Sequence, residues 1–133
     1  MRFWMSAEID VDVNDAYERF SLDLQMSLDA YLSKNDYGGG LKQWAYMDII
    51  IDHPDWFPEI CKYHRKRQVI EFRLQIPYDQ FKSASPDEQR RMVFASILRS
   101  TQVARESGKL PKGFDLDRFI ADLKEFGQQG GWM

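Results

Sequence analysis

At 133 residues, 44% of them apolar and 14% aromatic, the chain is long enough to bury a core without staples and too hydrophobic to stay disordered. Its single cysteine, Cys61, excludes an internal disulfide framework, and no run approaches the roughly 20 apolar residues that a membrane-spanning helix needs. The formal charge of −3 conceals a division: residues 8–36 hold eight acids against Arg19 and Lys34, residues 37–60 four against Lys42, and residues 61–109 eleven Lys or Arg against five acids. An acidic front and a basic middle bear on which partners are steered in, and how fast, more than on the fold. The start of the chain, Arg2 to Glu8, lacks the long apolar stretch of a signal peptide, so the cytoplasm is the expected compartment.

Phe3, Met5, Ala7 and Ile9 alternate with Arg2, Trp4, Ser6, Glu8 and Asp10, which predicts a strand with one buried face. Val13, Tyr17, Phe20, Leu24, Leu28 and Tyr31 recur at three- and four-residue steps and predict a helix over 12–33, stopped by Gly38-Gly39-Gly40. Residues 41–52 read as a second strand, with Leu41, Ala45, Met47, Ile49 and Ile51 on one face and Trp44, Tyr46 and Ile50 on the other. After a loop stiffened by Pro54 and Pro58, a short strand over 60–64 and a basic tip at 62–67 lead into a regular alternation. There Ile70, Phe72, Leu74 and Ile76 face one way and Glu71, Arg73 and Gln75 the other.

Ser85 as N-cap, Pro86 at the first helical position and Glu88 in capping-box register predict a helix start, and Val93, Phe94, Ile97, Leu98, Thr101 and Ala104 carry the apolar stripe to about residue 106. Asp115 caps a short last helix through Phe119, Ile120, Leu123 and Phe126, and Gln128-Gln129-Gly130-Gly131 predicts a loose end. The strands are grouped rather than alternating one for one with helices. The expected class is therefore α+β: a small, mainly antiparallel sheet of three to four strands with two long helices and a short C-terminal helix packed on it. One domain over 1–127 and a flexible tail over 128–133 are expected.

Signals of catalysis are sparse. His53 and His64 are the only histidines, no serine stands in a nucleophile-elbow context, and Cys61 with His64 matches no zinc-ligand spacing. The expectation is no catalytic residue, no metal, no cofactor and no enzyme activity. Tyr63-His64-Arg65-Lys66-Arg67 mixes cations with an aromatic ring and is the candidate for gripping nucleic acid, but a sequence pI near 5.4 lies far below the range of such binders. Nucleic acid is disfavoured as a partner on that ground.

The acids point to a protein partner. Asp15, Glu18, Leu22, Met26 and Asp29 fall opposite the predicted helical stripe, so carboxylates flank two apolar side chains, which either a second layer covers or a partner meets. In the 52–59 loop, Trp56 and Phe57 stand among Asp52, Asp55 and Glu59, and either fold back on the core or serve as anchors ringed by charge. The candidate partner-binding residues are Asp52, Asp55, Trp56 and Glu59, with Asp15, Glu18 and Asp29 as a second patch.

Four segments together resemble a known family: Arg2-Phe3-Trp4-Met5-Ser6-Ala7-Glu8-Ile9, the Asp36-Tyr37-Gly38-Gly39-Gly40 turn leading to Trp44, Lys62-Tyr63-His64 with Val69-Ile70-Glu71-Phe72-Arg73-Leu74, and Leu98-Arg99-Ser100. They are similar to the immunity protein 44 family, bacterial immunity proteins that accompany polymorphic toxins, including those of contact-dependent growth inhibition systems. The resemblance runs from about residue 2 to the second long helix. It implies a small cytoplasmic protein that binds and neutralises a cognate toxin C-terminal domain without catalysis of its own, and it carries over no site residues. The acidic front is compatible with a nuclease toxin that has a basic cleft. The alternative is a nucleic-acid-binding or regulatory module using residues 62–67. The oligomeric state, and whether the acidic front or the basic tip meets the partner, stay open.

Overall fold

The computed structural model describes residues 11–40, 46–52 and 59–133, in the order α1 (Val11–Leu32), β1 (Tyr46–Asp52), β2 (Ile60–His64), β3 (Val69–Gln75), α2 (Tyr78–Ser83), α3 (Pro86–Ser107) and α4 (Leu116–Gln129). The class is α+β. Strand β3 is central, pairing antiparallel with β2 (Cys61 opposite Phe72) and parallel with β1 (Ile49 opposite Phe72). The described sheet is therefore mixed, which corrects the expectation of a mainly antiparallel one. Among the described strands the chain leaves β1 on one side of β3 and re-enters as β2 on the other, so the hairpin return to β3 runs the same way as β1. The strand expected near the N-terminus, and residues 41–45 of the second strand, lie outside the described residues.

Pleating sends Ile70, Phe72 and Leu74 of β3, with Cys61 and Tyr63 of β2, to one side of the sheet. That side meets the helices. Phe72 stacks on Phe119 of α4 at 6.3 Å, and Leu24, Leu28, Val93, Phe94 and Ile97 complete a fully buried centre, each large side chain contributing about 1.5–3 kcal/mol. Local signals place the helix ends. Ser85 Oγ accepts from Glu88 N at 3.3 Å behind Pro86, Asp115 Oδ1 accepts from Arg118 N at 3.1 Å, and α3 stops where Gly108 turns left-handed at φ 65°. The six-residue α2 was not expected. It is too short to display a period, and it is held by the buried ring of Phe81.

Within residues 128–133, expected as a loose tail, Trp132 is buried and residues 128–131 and 133 are exposed. Helix α4 runs on to Gln129, Gly131 turns the backbone at φ 75°, and Trp132 N donates to Gly127 O at 2.8 Å. The Trp132 indole is 3% exposed, beneath the Arg90 guanidinium at 4.1 Å and edge-on to Phe20. The glycines that read as looseness supply the turn that returns a tryptophan to the core. At the opposite end, Asp115 N donates to Tyr37 O at 2.7 Å and Tyr63 N to Lys109 O at 3.2 Å, which ties the segment after α1 and strand β2 to the α3–α4 loop. Gly38 permits this approach, since a Cβ there would lie 2.8 Å from Gly113 O. Tyr37 Oη donates to Asp122 Oδ2 at 2.6 Å and Asn35 Nδ2 to the same oxygen at 3.1 Å, locking α1 to α4; burial, then that hydrogen bond, raises the Tyr37 pKa well above its usual value.

Candidate partner-binding surface

Helix α1 is two-sided. Leu24, Leu28 and Leu32 are buried against the core, whereas Leu22 and Met26, one turn apart on the opposite stripe, are 60% and 64% exposed. Nothing among the described residues covers them. Among those residues Met133, at the chain end, is the other large apolar side chain left in solvent. Asp23 and Arg19 are exposed beside the pair, Asp29 is half-buried, and the α1 backbone puts positions 15 and 18 on the stripe that continues through 22, 26 and 29. Two apolar side chains framed by acids thus stand on a rigid helix whose other side is fastened to the core.

The remaining candidates separate. Asp52 is the last residue of β1, in register with Gln75, and Asp55 and Trp56 lie outside the described residues. Glu59 is drawn inward: its Oε1 accepts from Ser96 Oγ at 3.1 Å, Arg99 Nε at 3.2 Å and an Arg99 terminal nitrogen at 3.1 Å. Its carboxylate braces β2 to α3, and its charge is matched within the chain.

The sheet also settles the Cys61–His64 question. Their alternation along β2 puts the thiol on the core side and the imidazole on the other, so they form no nucleophile–base pair. Burial pushes the Cys61 thiol pKa strongly upward, away from the reactive thiolate. His64 Nε2 instead meets the carboxylate of Glu71, which is 3% exposed and lies 3.5 Å from an Arg73 nitrogen. The alternation along β3 marks Glu71 as polar-facing, yet it is buried, because that face is covered as well. Among the described residues no group of three or more His, Cys, Asp or Glu is gathered as a metal site. An open groove of about 490 Å³ runs between α2 and α3, floored by Ile76, Pro77, Met92 and Ala95, with Glu88 and Arg91 at its rim and Arg99 held by Glu59. Its charges balance, so it selects no sign of ligand.

The profile of the family described as Immunity protein 44 matches residues 1–129. The chain belongs to the immunity protein 44 family. No curated protein and no solved structure shows significant similarity to it. All seven described elements fall within the matched span, including both sides of α1. For a member of the immunity protein 44 family the implied partner is a toxin. Among the described residues no helix is long and apolar enough to cross a membrane.

Proposed function

We propose that the chain neutralises a cognate toxin domain by binding it, without catalysis of its own, and that the outward face of α1 is the principal contact. The observation that carries this reading is the exposure of Leu22 and Met26 on an acid-bearing helix in a member of an immunity family. Desolvated apolar side chains supply affinity, and the surrounding Asp15, Glu18, Asp23 and Asp29 supply steering and register toward a basic surface. Two copies of this face repel each other, so the occupant is a basic partner rather than a second α1. A nuclease domain of a polymorphic or contact-dependent toxin, with a cleft built for phosphates, has that character. Asp52, Asp55 and Trp56 are kept as a second, separate candidate contact; Glu59 is assigned to bracing α3.

The test uses the purified C-terminal domain of the toxin encoded beside this chain, with stopped-flow binding and a cell-protection assay. Leu22→Ala with Met26→Ala should speed dissociation about tenfold or more and leave folding intact, because neither side chain is in the core. Reversing Asp15, Glu18 and Asp29 to lysine, a local change of about +6, should instead slow association and invert the salt dependence of the wild-type rate. Wild-type rates and full protection in both variants would refute the assignment.

A further inference from the structure

Helix α1 carries Asp12, Asp15, Glu18, Asp23 and Asp29, and against these acids a single cation, Arg19. Arg19, Leu22, Asp23 and Met26 stand at i, i+3, i+4 and i+7, the spacing that gathers side chains on one face, and all four are exposed. Helix neighbours three or four positions apart have Cβ atoms about 5–6 Å from each other, and a helical side chain leans over the turn before its own. Leu22 therefore leans toward Arg19. The ordinary use of such an arginine is pairing along the helix, since positions 15 and 23 lie four residues to either side. At an exposed site that contributes little to stability and nothing to the choice between partners.

The choice between partners needs such a residue, because the rest of the face does not discriminate. Carboxylates around Leu22 and Met26 steer in any basic surface. A basic surface that closes over Leu22 also brings its own cations toward the Arg19 guanidinium and strips water from it. Like charges set together lose affinity, and a desolvated charge left unpaired loses more. A partner escapes that penalty by presenting an acceptor at this point. The planar guanidinium matches a carboxylate with two parallel hydrogen bonds, a fit that lysine does not reproduce.

We infer that Arg19 is the specificity-determining residue of the α1 face, and that the cognate toxin domain, basic over the surface that meets α1, carries one carboxylate opposite it. This rests on the proposed docking of α1 and adds to it which basic partner is accepted: affinity comes from Leu22 and Met26, encounter rate from the acids, and rejection of other basic surfaces from the one cation among them.

Stopped-flow binding of the full chain to the purified toxin domain tests the inference, because steering and recognition have opposite signs at this residue. Arg19→Ala and Arg19→Glu both make the face more acidic, so association with a basic domain should quicken, by about threefold or less. Dissociation should quicken by more: about tenfold for Arg19→Ala, which strands the carboxylate, and about a hundredfold for Arg19→Glu, which sets two carboxylates together. Changing each surface Asp and Glu of the toxin domain to Asn or Gln should find one whose effect on dissociation vanishes in the Arg19→Ala chain. Weak binding of an unrelated basic toxin domain at low salt should tighten with Arg19→Ala, because a penalty is removed. Circular dichroism should show wild-type melting, as Arg19 is exposed. Dissociation no faster than wild type in either Arg19 variant, no toxin carboxylate coupled to Arg19, or looser binding of the unrelated domain overturns the inference. If Leu22→Ala with Met26→Ala speeds dissociation and the Arg19 variants do not, this inference falls and the docking of α1 stands. If none of these changes alters either rate, α1 is not the contact and both fall.

Discussion

Replacing Gly127 with alanine sets two effects of opposite sign against each other inside α4. Helix propensity favours the change by about 0.8–1.0 kcal/mol. Packing opposes it: a Cβ at this position would lie 2.5 Å from Phe94 Cε2, and 2.8 Å from both Phe94 Cζ and Met133 Cγ. Carbon atoms rest at about 3.5–4.0 Å, so roughly 1 Å must be found. Met133 is an exposed chain end and can swing aside. Phe94 is fully buried and stacked on Phe126 at 6.2 Å, so its ring cannot retreat without opening the core. Overpacking of this kind costs about 1–3 kcal/mol, which outweighs the propensity gain and leaves the variant about 1 kcal/mol less stable. For a chain of this size that is a fall in Tm of roughly 3–5 °C. Urea unfolding followed by circular dichroism measures it, and a double-mutant cycle with Phe94→Leu isolates the cause. In the leucine background the alanine should be tolerated better, by about 0.5 kcal/mol or more. A raised midpoint in Gly127→Ala, or a cycle without coupling, would refute the packing of α4 on α3 described above.

Trp132→Ala should cost about 3–5 kcal/mol, a large share of a typical stability of about 5–15 kcal/mol, and a loss below about 0.5 kcal/mol in urea titration would return the last residues to a loose tail. Native Cys61 should react with a thiol reagent only as fast as the chain opens, whereas a rate equal to that of the denatured chain would contradict its burial. Because burial raises the folded thiol pKa, the folded state holds that proton more tightly. The resulting stability is complete below the unfolded thiol pKa of about 8.5 and falls as pH rises above it, a slope that Cys61→Ala should remove between about pH 8 and 9.5. Above about pH 10 Tyr37, raised for the same reason, adds a decline of the same sign.

Local chemistry was legible before any coordinates. Ser85, Pro86 and Glu88 mark the start of α3 because a helix end must satisfy its own first N–H groups from nearby side chains, and Asp115 does the same for α4. The alternation of Ile70, Phe72 and Leu74 announces β3 because a strand with one face in a core repeats every second residue. The acid-framed Leu22–Met26 stripe follows from the 3.6-residue turn in the same way, but whether another layer covers it does not. Pairing of β1 with β3 in parallel, the return of Trp132, the drawing of Glu59 to Arg99 and the placing of Cys61 and His64 on opposite faces each depend on a partner far away in sequence. The charge argument shows the difference most directly. The sequence carries an acidic front, a basic middle and a low pI as linear facts, and only the folded chain, by laying the α3–α4 loop against β2, decides which of those charges stand side by side.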